Sequence, residues 1–107
     1  MKEASVLKAL AALSQANRLR LFRALVMTGH AGATPTDIGK RLKVSPATLS
    51  FHLKELTNAG LITQERSGRN LIYRADYARM TGLLAYLSEN CCQGDSCDAA
   101  APRAGKC

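Results

Sequence analysis

The sequence predicts a mainly α (α+β) fold in which four helices are followed by a β-hairpin and a fifth helix. Three observations support this order. Apolar residues recur at helical spacing up to Gly60, two helix starts of the cap-then-proline type stand close together, and the hydrophobic period shortens after Gly60. With 107 residues, of which 47% are hydrophobic, the chain has room for one small domain with a modest core, which a dimer would help to stabilise.

The first two helices are predicted from apolar residues spaced three or four apart. The first helix spans residues 2–13, with one apolar side formed by Val6, Leu10 and Leu13. Ser14 is expected to cap a second helix over residues 15 to about 28, because serine oxygens accept hydrogen bonds from the free N–H groups of a first turn. The apolar side of this second helix comprises Leu19, Phe22, Leu25 and Val26.

Two cap-then-proline pairs predict a helix-turn-helix. Thr34 and Pro35 begin a short helix, and Ser45 and Pro46 begin another just after its end. Gly60 is the expected stop of this fourth helix, because glycine readily adopts the left-handed conformation that follows many helices. Two short helices joined by a tight turn form this motif. The buried stripe of the fourth helix is expected to be Leu49, Leu53 and Leu56.

The residues after Gly60 predict a hairpin and a last helix. Residues 61–66 and 71–74 are short runs with β-branched, aromatic and polar residues, joined by a turn over residues 67–70. Asp76 is expected to cap a fifth helix that extends to about Asn90. The hairpin after a helix-turn-helix completes a winged helix-turn-helix. The last helix has a heptad-like seam comprising Tyr77, Met80, Leu84 and Leu87.

Charge and composition narrow the classes of function. The net charge is +7, and residues 1–86 hold 13 Lys and Arg against 5 Asp and Glu, so the globular part is basic and favours a polyanionic partner such as double-stranded DNA. No apolar run approaches the roughly 18 residues of a spanning helix, and no signal-peptide pattern follows the N-terminus. We therefore expect a cytoplasmic protein with no membrane partner. No nucleophile–base pair, phosphate loop or carboxylate dyad suggests an enzyme.

The exposed face of the fourth helix is the predicted DNA-reading element. Small hydroxyl residues, a methyl group and one ring near a helix N-terminus suit close approach to base edges, and free N–H groups there suit phosphate. Two arginines at the hairpin tip are expected to touch phosphate or lie over the minor groove. Ordinary roles stay open for each residue, such as a cap for Ser45 or a surface histidine at position 52. The predicted DNA contacts are Ser45, Ala47, Thr48, Ser50, Phe51, His52, Lys54, Arg66 and Arg69.

Three segments carry a resemblance to a known family. The runs SPATLSFHLKELTNAGLI and ERSGRNLIYRAD resemble the winged-helix core of the ArsR/SmtB family of metalloregulatory repressors, and ANRLRLFRAL resembles that family's second helix. The likeness covers about residues 5–90. It implies a homodimer built from the first and last helices that binds a pseudo-palindromic operator, one recognition helix per half-site. The expected dimer interface comprises Val6, Leu10, Tyr77, Met80, Leu84 and Leu87.

A cysteine cluster follows the predicted last helix. Cys91, Cys92 and Cys97 stand within seven positions, Cys107 ends the chain, and no cysteine precedes them. In a reducing compartment such clusters favour metal binding or redox sensing over structural disulfides. Two sensor sites of the family are absent: TDIGKRL has no cysteines, and residues 77–90 contain no histidine to join Asp76.

The cluster instead resembles family members that hold trivalent arsenic with cysteines just after the last helix. As(III) and Sb(III) are soft centres that take three thiolates, and thiolates select soft acceptors. Cys91 is expected to continue the seam four residues after Leu87, with Cys92 and Cys97 as the other ligands and Cys107 as a bystander. This divides the chain into a DNA-binding and dimerisation domain, residues 1–90, and an inducer-binding tail, residues 91–107.

Other interpretations of the cysteines stay open. A thiol redox or persulfide sensor would pair Cys91 or Cys92 with Cys97, and a methylarsenite site would need only Cys91 and Cys92. A metalloid-sequestering protein would bind no specific DNA, and the cysteines could also have no role. Structural zinc is disfavoured, because its ligands usually form two closely spaced pairs and the spacing here is C-C-x4-C-x9-C.

Overall fold

The computed structural model describes residues 1–91, and its element order confirms the predicted winged helix-turn-helix. The helices are α1 (Glu3–Leu13), α2 (Ala16–Thr28), α3 (Pro35–Leu42), α4 (Pro46–Asn58) and α5 (Tyr77–Leu87), with a 3-10 turn at Gly29–Ala31. Strands β1 (Ile62–Ser67) and β2 (Asn70–Ala75) pair antiparallel, with Ile62 opposite Ala75 and Ser67 opposite Asn70. No helix in residues 1–91 has the length and apolar character needed to cross a bilayer.

Three of the predicted helix starts are confirmed by their caps, and one is wrong. Thr34, Ser45 and Asp76 accept hydrogen bonds from the backbone N–H groups of Asp37, Thr48 and Arg79 at 3.3, 3.4 and 3.0 Å. Ser14 does not cap α2. Its hydroxyl donates back to the Ala11 carbonyl at 2.7 Å and so ends α1, whereas Gln15 Oε1 accepts from the Arg18 N–H at 2.9 Å. The longer side chain of Gln15 reaches the first turn of α2.

The predicted stop of α4 at Gly60 is confirmed in detail. Gly60 has a φ of +78°, and its N–H donates to the Thr57 carbonyl at 3.0 Å. The next N–H, of Leu61, donates to the Leu56 carbonyl at 3.1 Å. These two bonds form a Schellman motif, which pairs carbonyls that the helix end would otherwise leave without donors. The chain therefore reverses directly into β1 and places the hairpin beside α4.

The core joins α1, α2, α4 and the base of the hairpin. Leu25 and Leu56 are inaccessible to solvent, and α5 adds Leu83 from the other side of α1. The remaining buried apolar residues are Val6, Ala9, Ala12, Leu21, Phe22, Ile38, Leu49, Leu53, Ala59, Leu61, Ile62, Tyr73 and Ala75. The stripe predicted for α4 is thus confirmed.

The hairpin is anchored at its base to the loop before α3. Ala33 and Tyr73 exchange backbone hydrogen bonds of 3.0 and 2.8 Å, as neighbouring strands do. Arg74 on β2 donates to the His30 carbonyl and to Glu65 Oε1 across the hairpin, each at 2.7 Å. These bonds fix the wing relative to the helix-turn-helix, so that its tip has a defined position.

The last helix is shorter than predicted. Helix α5 ends at Leu87 rather than near Asn90, because the Ser88 hydroxyl donates to the Leu84 carbonyl and Asn90 turns the chain with a φ of +59°. The expectation that Cys91 continues the α5 seam is therefore wrong, since the chain leaves the helical path before it. Cys92, Cys97 and Cys107 lie outside the described residues.

Candidate nucleic-acid interface

Helix α4 presents a polar N-terminal half to solvent while its leucines face the core. The exposed side chains are Ala47, Thr48, Ser50, Phe51 and Lys54, five of the predicted contacts. The Ser45 hydroxyl donates to Thr48 Oγ1 at 3.0 Å, so the Thr48 hydroxyl can direct its own hydrogen outward. Small side chains at the start of the helix let the backbone approach a surface closely, and the two hydroxyls offer both a donor and acceptors to it.

Phe51 is the exception to the polar character of this face. Its side chain is 54% exposed in the middle of the helix, flanked on the surface by Ser50 and Lys54. Fully burying such a ring is worth about 1.5–3 kcal/mol, so covering the half that is still exposed would gain roughly half of this range. The exposed ring therefore makes this face a candidate contact surface.

His52 does not belong to this face, which corrects its predicted contact with DNA. The residue is 6% exposed, and its Nδ1 lies 3.4 Å from Arg18 Nη1. Burial first, and the Arg18 charge second, lower the pKa of His52, whereas Glu55 raises it. The spacing signal was present in the sequence, because position 52 falls three residues after Leu49 and four before Leu56, inside the apolar stripe.

The wing adds cations beside α4. Alternation along β1 places Gln64 and Arg66 on the same side of the hairpin as Ile62 and Tyr73, the side that packs on the core, and Arg69 lies exposed in the tight turn at the tip. Gly68 supplies the positive φ, +63°, that the first central residue of such a two-residue turn needs. The wing therefore carries one arginine on its core-packing side and another at its tip.

A groove of about 320 Å³ separates α4 from the hairpin. Its lining contains one cation and no carboxylate, and it includes three polar residues that the sequence analysis did not select: Thr57, Asn58 and Gln64. The other lining residues are Ser50, Lys54 and Tyr73. Thr57 and Asn58 follow Lys54 by three and four residues, so they extend the row of Ser50 and Lys54 along α4. Their place in the groove could therefore have been predicted from the sequence. Gln64 became recognisable only with the strand register.

The cations near this groove form no ion pair within residues 1–91. Within residues 1–91 the structure has one ion pair, between Arg74 and Glu65, and it involves none of Lys54, Arg66 or Arg69. Three unpaired cations around a polar groove form a surface with positive potential. Such a surface suits a polyanion that follows the groove, with phosphate contacts fixing its position.

A second exposed surface is apolar and lies on α1 and α5, which contact each other. We call it the α1/α5 face. Leu84 is 58% exposed, and the other exposed leucines of this face are Leu7, Leu10 and Leu87. Leu7 was not predicted, because the spacing of apolar residues in α1 favoured Val6 for the outer side.

The predicted dimer residues divide into three groups by their exposure. Leu10, Leu84 and Leu87 are exposed, whereas Tyr77 and Met80 are half-buried, and the Tyr77 hydroxyl donates to the Val26 carbonyl at 2.9 Å. Val6 is 3% exposed and packs in the core of its own chain. Its assignment to an interface is therefore wrong, because no surface of the residue remains for a partner.

The predicted metal ligands are represented by one residue in the described part of the chain. Cys91, four residues after the end of α5, is half-buried and disulfide-bonded, so a thiolate at this position requires reduction. Residues 1–91 contain no group of three or more His, Cys, Asp or Glu side chains placed to hold a metal ion. The three-cysteine site, with Cys92 and Cys97, stays a prediction.

Comparison with known proteins agrees with the geometry. The helix-turn-helix domain family matches residues 13–65. The arsenical resistance operon repressor of Bacillus subtilis (strain 168) is 33% identical over 92 residues, which cover 80% of this chain and 84% of the relative.

Two solved structures are similar over most of the chain. An ArsR-like transcriptional regulator from Rhodococcus sp. RHA1 superposes with a TM-score of 0.72 at 28% identity, covering 79% of this chain and 77% of the other. A possible transcriptional regulator for arsenical resistance gives a TM-score of 0.66 at 30% identity, covering 76% and 81%.

Proposed function

Because the chain belongs to the ArsR family of winged-helix transcriptional regulators, we propose that it is a homodimeric repressor released from its operator by trivalent arsenic or antimony. It acts by binding double-stranded DNA and is not an enzyme. The observation that carries the proposal is the exposed N-terminal half of α4, where hydroxyls, a methyl group and Phe51 stand beside unpaired cations. That combination is what a major-groove helix needs.

Each part of the surface has a distinct task on DNA. The Thr48 and Ser50 hydroxyls can hydrogen-bond base edges, and Ala47 and Phe51 can meet a thymine methyl. Lys54, Arg66 and Arg69 contact phosphates and set the register of the protein without reading sequence. The free N–H groups at the start of α4 offer a further phosphate site.

A second copy of the chain is the proposed occupant of the α1/α5 face. The four exposed leucines stand on α1 and α5, two helices that contact each other. Covering them from water stabilises the pair, and a two-fold arrangement presents the same leucines from both copies. Two α4 helices then engage successive major grooves about one helical turn apart.

The inducer is proposed from the cysteines and from the relatives. The Bacillus subtilis relative is an arsenical resistance operon repressor, and one similar structure is a possible regulator for arsenical resistance. Soft thiolates favour As(III) and Sb(III) over hard cations. Cys91 follows α5 by four residues, so ligation by Cys91, Cys92 and Cys97 would change the end of the helix that carries Leu84 and Leu87.

Release from DNA follows from unequal affinity of the inducer for two dimer arrangements. If bound metalloid favours an arrangement in which the two α4 helices no longer match the operator, DNA affinity falls by the coupling free energy, typically about 1–3 kcal/mol, or roughly 5–150-fold. The cysteines need no contact with DNA, because the change passes through the α1/α5 face.

A gel shift with cysteine variants tests the inducer site. The probe is a duplex containing the sequence that the wild-type protein enriches from a random pool, under reducing conditions, titrated with arsenite, antimonite, methylarsenite, zinc and cadmium. Arsenite is expected to release wild-type protein and Cys107→Ser, the matched control, but not Cys91→Ser, Cys92→Ser or Cys97→Ser. Release by zinc or cadmium alone would show that the metalloid assignment is wrong.

The same probe separates the redox alternative. A thiol sensor would release DNA on addition of peroxide or polysulfide, with reversal by dithiothreitol and no bound arsenic. Retained response to arsenite in Cys97→Ser, together with loss in the other two variants, would instead indicate a two-thiolate methylarsenite-type site.

The salt dependence of binding tests the role of the wing. Arg69→Gln is expected to make the plot of log Kobs against log[salt] shallower by about 0.9 per subunit, because each lost phosphate contact releases one fewer counterion. Lys8→Gln removes the same charge from α1, beside the C-terminal end of α4, and should leave the slope unchanged. Equal slopes for wild type and Arg69→Gln would exclude a phosphate contact at the tip.

A further inference from the structure

Arg18 connects three helices through one side chain. It lies on α2, its Nε donates to the Ala12 carbonyl near the end of α1 at 2.7 Å, and its Nη1 lies 3.4 Å from His52 Nδ1 on α4. Gln15 Oε1 accepts a hydrogen bond from the backbone N–H of Arg18 at 2.9 Å, which fixes the start of α2 as well. The arginine thus links α1, which carries part of the α1/α5 face, to the helix proposed to read DNA.

His52 is the residue of α4 that the Arg18 side chain contacts. It is the single buried polar or charged residue within residues 1–91. Its ring stands beside the exposed ring of Phe51, with centroids 5.6 Å apart. A change in the His52 contact therefore acts on the part of α4 that carries Phe51 and Lys54.

We propose that Arg18 and His52 are positioning residues that hold α4 against α1, and that protonation of His52 breaks this contact and weakens operator binding. The inference rests on the proposed function, because it assumes that α4 binds the operator. It adds a proton-sensitive contact within each subunit, separate from the cysteines.

The chemistry of the contact sets the direction of the effect. The Arg18 N–H needs the Nδ1 lone pair, so the histidine ring is neutral with its hydrogen on Nε2. A second proton on Nδ1 turns an acceptor into a donor that faces another donor, and places one cation beside another. The charged groups around the contact are Lys8 from α1, Arg18 from α2 and Glu55 from α4, which line one cleft of about 220 Å³.

These surroundings determine the pH range. Burial and Arg18 lower the pKa of His52 below its ordinary 6.5, so the neutral form persists at pH 7. The contribution of the contact is complete above 6.5, the value in the unfolded chain, and is lost as the pH falls through the lower pKa of the folded protein. Acidification is therefore expected to weaken the link between α4 and α1.

The test compares operator affinity across pH in three variants of the full chain. His52→Asn keeps an acceptor near the Nδ1 position but cannot titrate, and Arg18→Lys keeps the charge but loses the fork that reaches two partners. Arg20→Lys, an exposed position on the same helix, is the matched control. The probe is the duplex that wild-type protein enriches from a random pool, at constant ionic strength between about pH 8 and pH 5.5, a range that spans ordinary histidine titration.

Wild type and Arg20→Lys are expected to lose roughly tenfold in affinity towards the acid end, a change of about 1.4 kcal/mol. His52→Asn should show a flatter profile, and Arg18→Lys should bind roughly tenfold more weakly than wild type at neutral pH.

Two outcomes separate this inference from the proposed function. Coincident pH profiles for wild type and His52→Asn, with Arg18→Lys binding as wild type, would overturn the positioning role and leave operator binding intact. A wild-type protein that enriches no sequence from the pool would overturn the proposed function, and this inference with it. Unfolding free energies without DNA provide an independent check, since the acid loss of stability should be smaller in His52→Asn than in wild type.

Discussion

Leu84→Glu is expected to convert the protein to a monomer and to lower its operator affinity by two to four orders of magnitude. Leu84 is 58% exposed on α5 in the described chain, and the proposed dimer covers it twice, once in each subunit. Fully burying a leucine contributes about 1.5–3 kcal/mol, of which roughly half remains to be gained at each half-exposed Leu84, and a carboxylate in the same place would have to be desolvated without a partner. A monomer loses the linked second half-site, and such linkage is worth roughly 10²–10⁴ in affinity.

Sedimentation velocity and the operator gel shift measure the two consequences separately. Ala85→Glu is the matched control, because Ala85 is exposed on the same helix but lies about 100° further around its axis. It should stay dimeric and bind like wild type. A Leu84→Glu protein that sediments as a dimer would show that the subunits pair through another surface.

The local rules of helix ends were sufficient to predict most of this fold. The caps at Thr34, Ser45 and Asp76 and the glycine stop at Gly60 are decided by nearest neighbours along the chain, which a sequence displays. The prediction that Ser14 caps α2 was wrong, because two adjacent residues could both act as caps. The choice between them depends on the angle between α1 and α2.

The errors at the candidate sites have a different origin. Val6 and Leu10 fit one apolar stripe by spacing, yet Val6 enters the core and Leu10 stays outside, since both sides of α1 are apolar and tertiary packing decides between them. His52 was assigned to the surface because polar residues usually are, although its spacing within the leucine stripe indicated burial, and its partner Arg18 lies 34 positions away in sequence. Gln64 could be assigned to the groove only from the strand register, which pairs it with Tyr73. The tail cysteines were recognised by residue type and spacing alone, and their geometry stays a prediction.

Leu56→Ala is expected to reduce the free energy of unfolding by about 2–5 kcal/mol, the range for removing a buried leucine side chain. The side chain is completely buried where α4 meets the core, and the Leu56 carbonyl accepts the Leu61 N–H that begins the turn into β1. A cavity here loosens both α4 and the wing from the same point. Because small domains have only about 5–15 kcal/mol of stability, the variant should be partly unfolded at moderate temperature.

Urea unfolding followed by circular dichroism gives this free energy, with Leu19→Ala as the control. Leu19 is 42% exposed on α2, so its truncation should cost well below the Leu56 value, on the order of 1 kcal/mol or less. Dimerisation adds stability by mass action, so both variants are compared with wild type at two protein concentrations. The Leu56 effect should persist at both concentrations, because it arises within one subunit, whereas Leu84→Glu should remove the concentration dependence itself. If Leu56→Ala lost its effect at high concentration, the packing of α4 would depend on the partner subunit.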